Sequence, residues 1–213
     1  MVLACILTVV SAYLLGSINT SIILSKFKKN DIRTHGSGNA GATNVLRVMG
    51  KSAAALVVVG DALKAFVAVW VAALIADKCG VFHPQTLVLK YLAVTFVVIG
   101  HDFPLFFGFR GGKGIVTSVA IIFALDWRLG IMVLGTGVFC IVLTRFVSLG
   151  SIVGCVIFPL FCIAMHMDAP WCYESAVIIP AVFLGILGVW RHSSNIKKLV
   201  SGTERKIGEK SKK

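Results

Sequence analysis

Residues 52–76 read SAAALVVVGDALKAFVAVWVAALIA, an apolar stretch whose only ionisable side chains are Asp61 and Lys64. A helix rises about 1.5 Å per residue and the hydrocarbon core of a bilayer is about 30 Å thick, so about 20 such residues cross it. This stretch is long enough. The whole composition agrees: 57% of the residues are hydrophobic, 14% are charged and the mean hydropathy is +0.91, whereas ordinary soluble domains carry roughly 25% charged residues. The chain is therefore expected to be an all-α integral membrane protein. In a soluble protein a net charge of +12 would suggest nucleic acid, but membrane proteins gather basic residues in their cytoplasmic loops, so here the charge marks sidedness and no nucleic-acid partner is expected.

Working outward, further apolar segments run over 2–25, 86–107, 115–125, 129–144, 149–167 and 174–190. Together with 52–76 they predict about seven transmembrane helices, the fourth and fifth short and therefore tilted, kinked or re-entrant around a cavity. The first segment lacks a basic start and basic residues follow it, so it reads as a span rather than a signal peptide. If it leads from outside to inside, 17 of the 21 Lys and Arg fall on the inner side. The outer connections hold Lys78, Lys90 and Arg128 with Asp77, Asp126, Asp168 and Glu174. The amino terminus is then outside and the carboxyl terminus cytoplasmic. If the two short segments fail to cross they drop out as a pair, and the sidedness is unchanged. No polar stretch is large enough for a second core, so residues 1–213 form one multi-pass domain. The lysine-rich end at 210–213 reads as a solvated or lipid-facing tail. Cys5, Cys140, Cys155 and Cys162 lie in apolar segments as packing residues, whereas Cys79 and Cys172 fall outside and could pair.

The inner side carries four polar clusters. The first is His35-Gly36-Ser37-Gly38-Asn39-Ala40-Gly41-Ala42-Thr43-Asn44-Val45-Leu46-Arg47. Gly36, Gly38 and Gly41 spell a dinucleotide fingerprint with Asp61 downstream, but membrane spans flank the loop where that fingerprint needs a strand, a helix and a second strand. What survives is the glycine physics: backbone that can turn tightly, with unpaired N–H groups that attract phosphate or carboxylate. Ser37, Asn39, Thr43 and Asn44 add side-chain partners and Arg47 a planar charged fork. The second cluster runs from Gly100 and His101 through Arg110, Gly111, Gly112, Lys113 and Gly114. It is not a nucleotide P-loop, because Gly114 follows Lys113 where Ser or Thr is required and no strand precedes it. The third holds Arg145, Ser148 and Ser151, and the fourth runs from Arg191 through His192 and Asn195 to Glu204. His192 and Asn195, three apart, would share a helix side and reach one ligand. Asp61 and Lys64 are also three apart at membrane depth. They read first as an ion pair stabilising the bundle, and second as Lys64 lining an anionic substrate cavity with Asp61 orienting it.

Taken together, these clusters resemble the integral-membrane, acyl-phosphate-dependent glycerol-3-phosphate acyltransferases of bacteria. Ser37-Gly38-Asn39-x-Gly41-x-Thr43-Asn44-x-x-Arg47 looks like that family's first motif, Gly100-His101 through Arg110-Gly111-Gly112-Lys113-Gly114 its second, and Ser148-Leu149-Gly150-Ser151 its third. Arg191-His192-x-x-Asn195-Ile196 through Glu204 resembles its ending. Arg110 stands where the family commonly has Lys, which keeps the charge.

The resemblance implies transfer of a fatty acyl group from acyl phosphate to the sn-1 hydroxyl of glycerol 3-phosphate at the cytoplasmic face of the bacterial plasma membrane. Lysophosphatidic acid and phosphate would be the products, with no cofactor, no metal and no obligate protein partner beyond membrane lipid. Acyl phosphate is already an activated anhydride, so positioning and charge neutralisation suffice. Ser37, Arg47, Lys113, His192 and Asn195 are the candidate catalytic residues. Gly38, Asn39, Gly41, Thr43, Asn44, Lys64, His101, Arg110, Gly111, Gly112, Gly114, Arg145, Ser148, Ser151 and Glu204 are the candidate substrate-binding residues. The base that accepts the hydroxyl proton is either the substrate's own phosphate or one of His192 and His101. No His is followed five places later by Asp, the pattern of acyl-CoA-dependent acyltransferases. On physical grounds a transporter for an organic phosphate would also suit buried charge and a basic vestibule.

Overall fold

A computed structural model describes residues 1–83, 85–166 and 171–209, without the side chains of residues 166 and 171–175. Among these residues the regular elements are helical: α1 (Val2–Ser17), α2 (Thr20–Phe27), α3 (Ala42–Met49), α4 (Lys51–Lys78), α5 (Gln85–Asp102), α6 (Ile115–Leu125), α7 (Trp127–Thr144), α8 (Val147–His166), α9 (Trp171–Arg191) and α10 (Ser193–Val200). Five stretches are long and apolar enough to cross a membrane, namely Val2–Phe27, Lys51–Lys78, Gln85–Phe107, Trp127–Thr144 and Val147–Met165. A sixth is the pair Ala176–Arg191 and Ser193–Val200, bent by 55°. The fourth expected span, α6, is short as anticipated: its 11 residues cover only about half of a 30 Å hydrocarbon core.

The fifth expected span is not short. It begins at Trp127 because Asp126 caps it, its carboxylate accepting from the Arg128 N–H at 2.9 Å, and it runs for 18 residues. Irregular backbone instead interrupts the first span, where Ile18 and Asn19 are extended between α1 and α2. Asn19 caps α2, its Oδ1 accepting from the Ile22 N–H at 3.2 Å and the Ser21 hydroxyl at 2.7 Å. The Lys64 ammonium donates to the Gly16 and Ile18 carbonyls at 3.2 and 3.1 Å, so the break is satisfied by protein, as non-helical backbone at membrane depth must be.

Small residues let the helices approach. A side chain at Gly16 would run into the Val97 backbone and one at Gly100 into the Tyr13 carbonyl, so α1 and α5 pack backbone to backbone. At the α7–α8 crossing, a side chain at Gly150 would meet the Gly137 carbonyl at 2.5 Å. Ala65, Ala68 and Ala72 of α4 complete the core with Val94 and Val97 of α5. Leu56, Val59, Trp70, Phe139 and Val142 point outward from the bundle, as side chains facing lipid would. Asp168 and residues 210–213 lie outside the described residues, as do the side chains of Glu174 and Cys172. The Cys79 thiol is free.

Candidate active site

The first loop is folded around one amide. Asn44 is buried, its Nδ2 donating to the carbonyls of Ile32, His35 and Asn39 at 3.2, 2.9 and 3.1 Å and its Oδ1 accepting from the Ser37 N–H at 2.9 Å. This closes the turn that Gly36 and Gly38 permit, both with φ near the left-handed region at 62° and 72°. The Gly38 N–H is likewise spent on the His35 carbonyl. Of the N–H groups that this loop offers to an anion, those of Ser37 and Gly38 are therefore spent within it. The donors move one step along, to the start of α3, where Gly41 provides no side-chain cap for the first turn. Arg33 ties this loop to the second, pairing with Asp31 at 2.7 Å and donating to the Phe107 carbonyl at 2.7 Å. The hydrogen bonds from Arg33 hold the Asp31 carboxyl down at about 2.

The second loop leaves α5 through the left-handed residues Gly108 and Phe109 and enters α6 at left-handed Gly114. Its turn folds back on the end of α5: the Gly111 N–H donates to the Asp102 carbonyl at 3.2 Å and the Gly112 N–H to the His101 carbonyl at 3.1 Å. Arg191 closes it from the other side, its Nη2 reaching the Gly112 carbonyl at 2.5 Å while the guanidinium lies 4.8 Å over the Phe103 ring. Lys113 is thereby aimed at Asn195, to whose Oδ1 it donates. Asn195 Nδ2 and the Ser148 hydroxyl each donate to Glu204 Oε1 at 2.8 Å, so one chain of hydrogen bonds links the second, third and fourth clusters. Burial pushes the Lys113 ammonium down to about 8, with Glu204 opposing and Arg191 reinforcing the shift. His192 Nδ1 lies 2.7 Å from the Gly188 carbonyl. That contact makes Nδ1 the protonated nitrogen of a neutral ring and leaves Nε2 as an acceptor.

These loops enclose a cavity of about 820 Å³. Of the sequence-predicted residues, Ser37, Gly38, Asn39, Gly41, Thr43, Asn44 and Arg47 line it from the first loop, and His101, Arg110, Gly111, Lys113 and Gly114 from the second. Ser148, Ser151, His192, Asn195 and Glu204 complete the other side. Lys64, Gly112 and Arg145 stand outside the lining. Lys64 is turned into the bundle, 2.9 Å from Asp61 and 2.8 Å from His101 Nδ1. Gly112 faces the His101 ring. Arg145, at the end of α7, accepts from the Ile207 N–H through its carbonyl at 2.8 Å and donates from its guanidinium to the Ile207 carbonyl at 3.1 Å, holding the carboxyl-terminal segment there. Three cations that line the cavity had drawn no role from the sequence: Arg33, Arg191 and Lys198. Lys198 is three beyond Asn195 on α10, a spacing that would have flagged it. Among the described residues no group of His, Cys, Asp and Glu could hold a metal ion.

Next to the polar cavity, an apolar groove of about 100 Å³ runs between α6, α7, α8 and α9, past Ile122, Val133, Leu134, Phe158 and Leu184. Ile115, Ile141 and Ser151 belong to both. A polar chamber and an apolar groove therefore share one wall.

The family model for glycerol-3-phosphate acyltransferase matches residues 6–202. The chain is 44% identical over 206 residues to glycerol-3-phosphate acyltransferases of Clostridioides difficile and Thermoanaerobacter pseudethanolicus, covering 96% of this chain and 96% of each relative. Its fold is similar to the crystal structure of PlsY, an integral membrane glycerol 3-phosphate acyltransferase, in its glycerol 3-phosphate form. There the TM-score is 0.81 at 36% identity, covering 96% of both chains. The lysophosphatidic acid form of PlsY gives a TM-score of 0.78 at 36% identity over 96% of this chain and 95% of that one.

Proposed function

The chain belongs to the glycerol-3-phosphate acyltransferase family, and from that premise we propose that it moves a fatty acyl group from acyl phosphate to the sn-1 hydroxyl of glycerol 3-phosphate. It is an acyltransferase of phospholipid synthesis, and glycerol 3-phosphate is the acceptor that its family names. The observation that carries the finer reading is the shared wall of Ile115, Ile141 and Ser151 between the cationic cavity and the apolar groove. A donor with a phosphate head and a hydrocarbon tail fills both at once.

In this reading the start of α3, with the Ser37 and Asn39 side chains, receives the acyl phosphate head. Arg47 and Lys113 hold the phosphate of glycerol 3-phosphate, and His192 and Asn195 its glycerol part. The sn-1 oxygen attacks the acyl carbonyl carbon, forming an ester bond as the carbon–oxygen bond to phosphate breaks. Inorganic phosphate leaves with the bonding pair, and the hydroxyl proton passes to that phosphate, which spares the protein a base. Cations and N–H groups around the departing charge lower the barrier by fixed electrostatics. Because the anhydride is already activated, the step needs neither nucleotide nor metal.

The short helix α6 completes a seventh crossing, which puts the amino terminus outside and the carboxyl terminus in the cytoplasm. The whole chain then works as one multi-pass domain in the bacterial plasma membrane, its cavity facing the cytoplasm, with no obligate protein partner. The test is phosphate release from acyl phosphate by the purified protein in detergent, with and without glycerol 3-phosphate. Release that depends on the acceptor and matches lysophosphatidate formation supports the reading. Phosphate-ester flux into vesicles without turnover would replace it with transport.

A further inference from the structure

Beneath the second loop, at the floor of the cavity, lies a buried cluster in which Asp61 and His101 reach the lining and Lys64 does not. Asp61 and Lys64 sit one turn apart on α4 with side chains only 2% and 6% exposed, and the ring of His101 on α5 is 4% exposed. The Lys64 ammonium has three N–H groups and faces four acceptors: Asp61 Oδ1 at 2.9 Å, His101 Nδ1 at 2.8 Å, and the carbonyls of Gly16 and Ile18 at 3.2 and 3.1 Å. Thr20 donates to the same Asp61 oxygen at 3.2 Å from the start of α2. An ammonium cannot accept, so His101 Nδ1 takes the hydrogen from Lys64 and the ring is fixed with Nε2 on the far side.

That far side meets the phosphate loop. His101 Nε2 fills the space where a side chain at Gly112 would stand, and the His101 carbonyl receives the Gly112 N–H at 3.1 Å. The cost of burying these charges is large unless each has partners, and stability alone is a weak reason to keep them. The network does, however, join three things that must agree in position: the broken first span, the α4–α5 pair and the turn that presents Lys113.

We propose that Asp61, Lys64 and His101 form a positioning device that locks the turn at 111–113 against the membrane core, so that Lys113 is held where it receives the phosphate of the acceptor. In this role the three act through the turn and not on the reacting atoms. That the acceptor's phosphate lies on Lys113 rests on the reading above; the locking of the turn does not.

The test pairs amide hydrogen exchange over residues 108–114 with steady-state kinetics, for the wild type and the variants His101→Ala, His101→Gln, Lys64→Met and Gly112→Ala. His101→Ala and Gly112→Ala are expected to speed exchange in that segment, leave α7 and α8 unchanged, and raise KM for glycerol 3-phosphate about tenfold or more, the size typical of losing an outer-layer partner. KM for acyl phosphate should hold, and His101→Gln should recover most of the loss. The double variant His101→Ala with Gly112→Ala should lose less than the product of the two single losses, because both act on one contact. Lys64→Met repeats the test from the other end of the network if it folds, and the other three variants decide the matter if it does not. Unchanged exchange and KM, multiplicative losses, or exchange that quickens throughout the bundle would each overturn the proposal. If the loop loosens locally while even the wild type leaves glycerol 3-phosphate unacylated, the functional reading falls and the locking of the turn stands.

Discussion

Lys113 has a charge that its surroundings resist, since burial holds its ammonium near 8 against an ordinary value of about 10.4. As pH rises through that value the group loses its proton, and with it the attraction for phosphate. The free-enzyme kcat/KM for glycerol 3-phosphate is therefore expected to fall above about pH 8. Lys113→Arg, whose guanidinium stays charged, should abolish that alkaline limb while lowering the plateau, and a limb that persists in it would assign the titration elsewhere. Lys113→Ala removes one charge-assisted contact, worth about 1.5–3 kcal/mol, so kcat/KM should drop by about 10- to 100-fold. Ser37→Ala and Arg47→Ala should each lose acyl transfer while keeping the thermal unfolding midpoint, because among the described residues neither side chain carries a hydrogen bond that holds the fold; a matching loss of midpoint would make them structural. Residue type and spacing were enough to bring Lys113, His192 and Asn195 to the cavity wall. They did not show that Lys64 and Asn44 spend their side chains on backbone carbonyls. A motif records that a polar group is needed, but whether it faces ligand or backbone depends on which carbonyls lie within reach, and these come from segments distant in the chain.

At the scale of elements, hydropathy located the spans because bilayer thickness sets a length that composition alone can meet. Breaks inside a span obey a different rule. The interruption between α1 and α2 leaves no mark in apolar content, since Ile18 is as apolar as its neighbours, and it is stabilised by Asn19 as cap and by Lys64 from another helix. Asn19→Ala removes that cap and should lower stability by about 1 kcal/mol, read as the shift in a denaturant or detergent unfolding curve. Gly100→Ala tests a packing constraint at the same junction. A methyl there would press on the Tyr13 carbonyl and on the Ser17 nitrogen at 2.9 Å, both backbone atoms that cannot swing aside. The expected cost is about 1–3 kcal/mol. A loss no larger than for an alanine-tolerant lipid-facing position would show that α1 and α5 can part without consequence.

For the molecule as a whole, sidedness is the property that unites the site, because four clusters far apart in sequence can form one cavity only if every loop that carries them returns to the same side. The positive-inside bias supplied that condition before any helix was placed: Arg33, Arg47, Arg110, Lys113, Arg191 and Lys198 all belong to the basic face, and all six line the cavity. What sequence could not supply was the depth of the apolar groove beside it, which depends on how closely α7 and α8 approach at Gly137 and Gly150. The arrangement predicts that the two substrates arrive by different routes, the lipid-like donor laterally through the groove and the water-soluble acceptor from the cytoplasm. In sealed vesicles of cytoplasm-inside orientation, glycerol 3-phosphate added outside should therefore give almost no lysophosphatidate when acyl phosphate is supplied in the bilayer. Inverted vesicles, or the same vesicles made permeable, should give full turnover. The converse result, full turnover in intact cytoplasm-inside vesicles and almost none in inverted ones, would mean that the cavity opens to the other side, and the inferred direction of every span would have to be reversed.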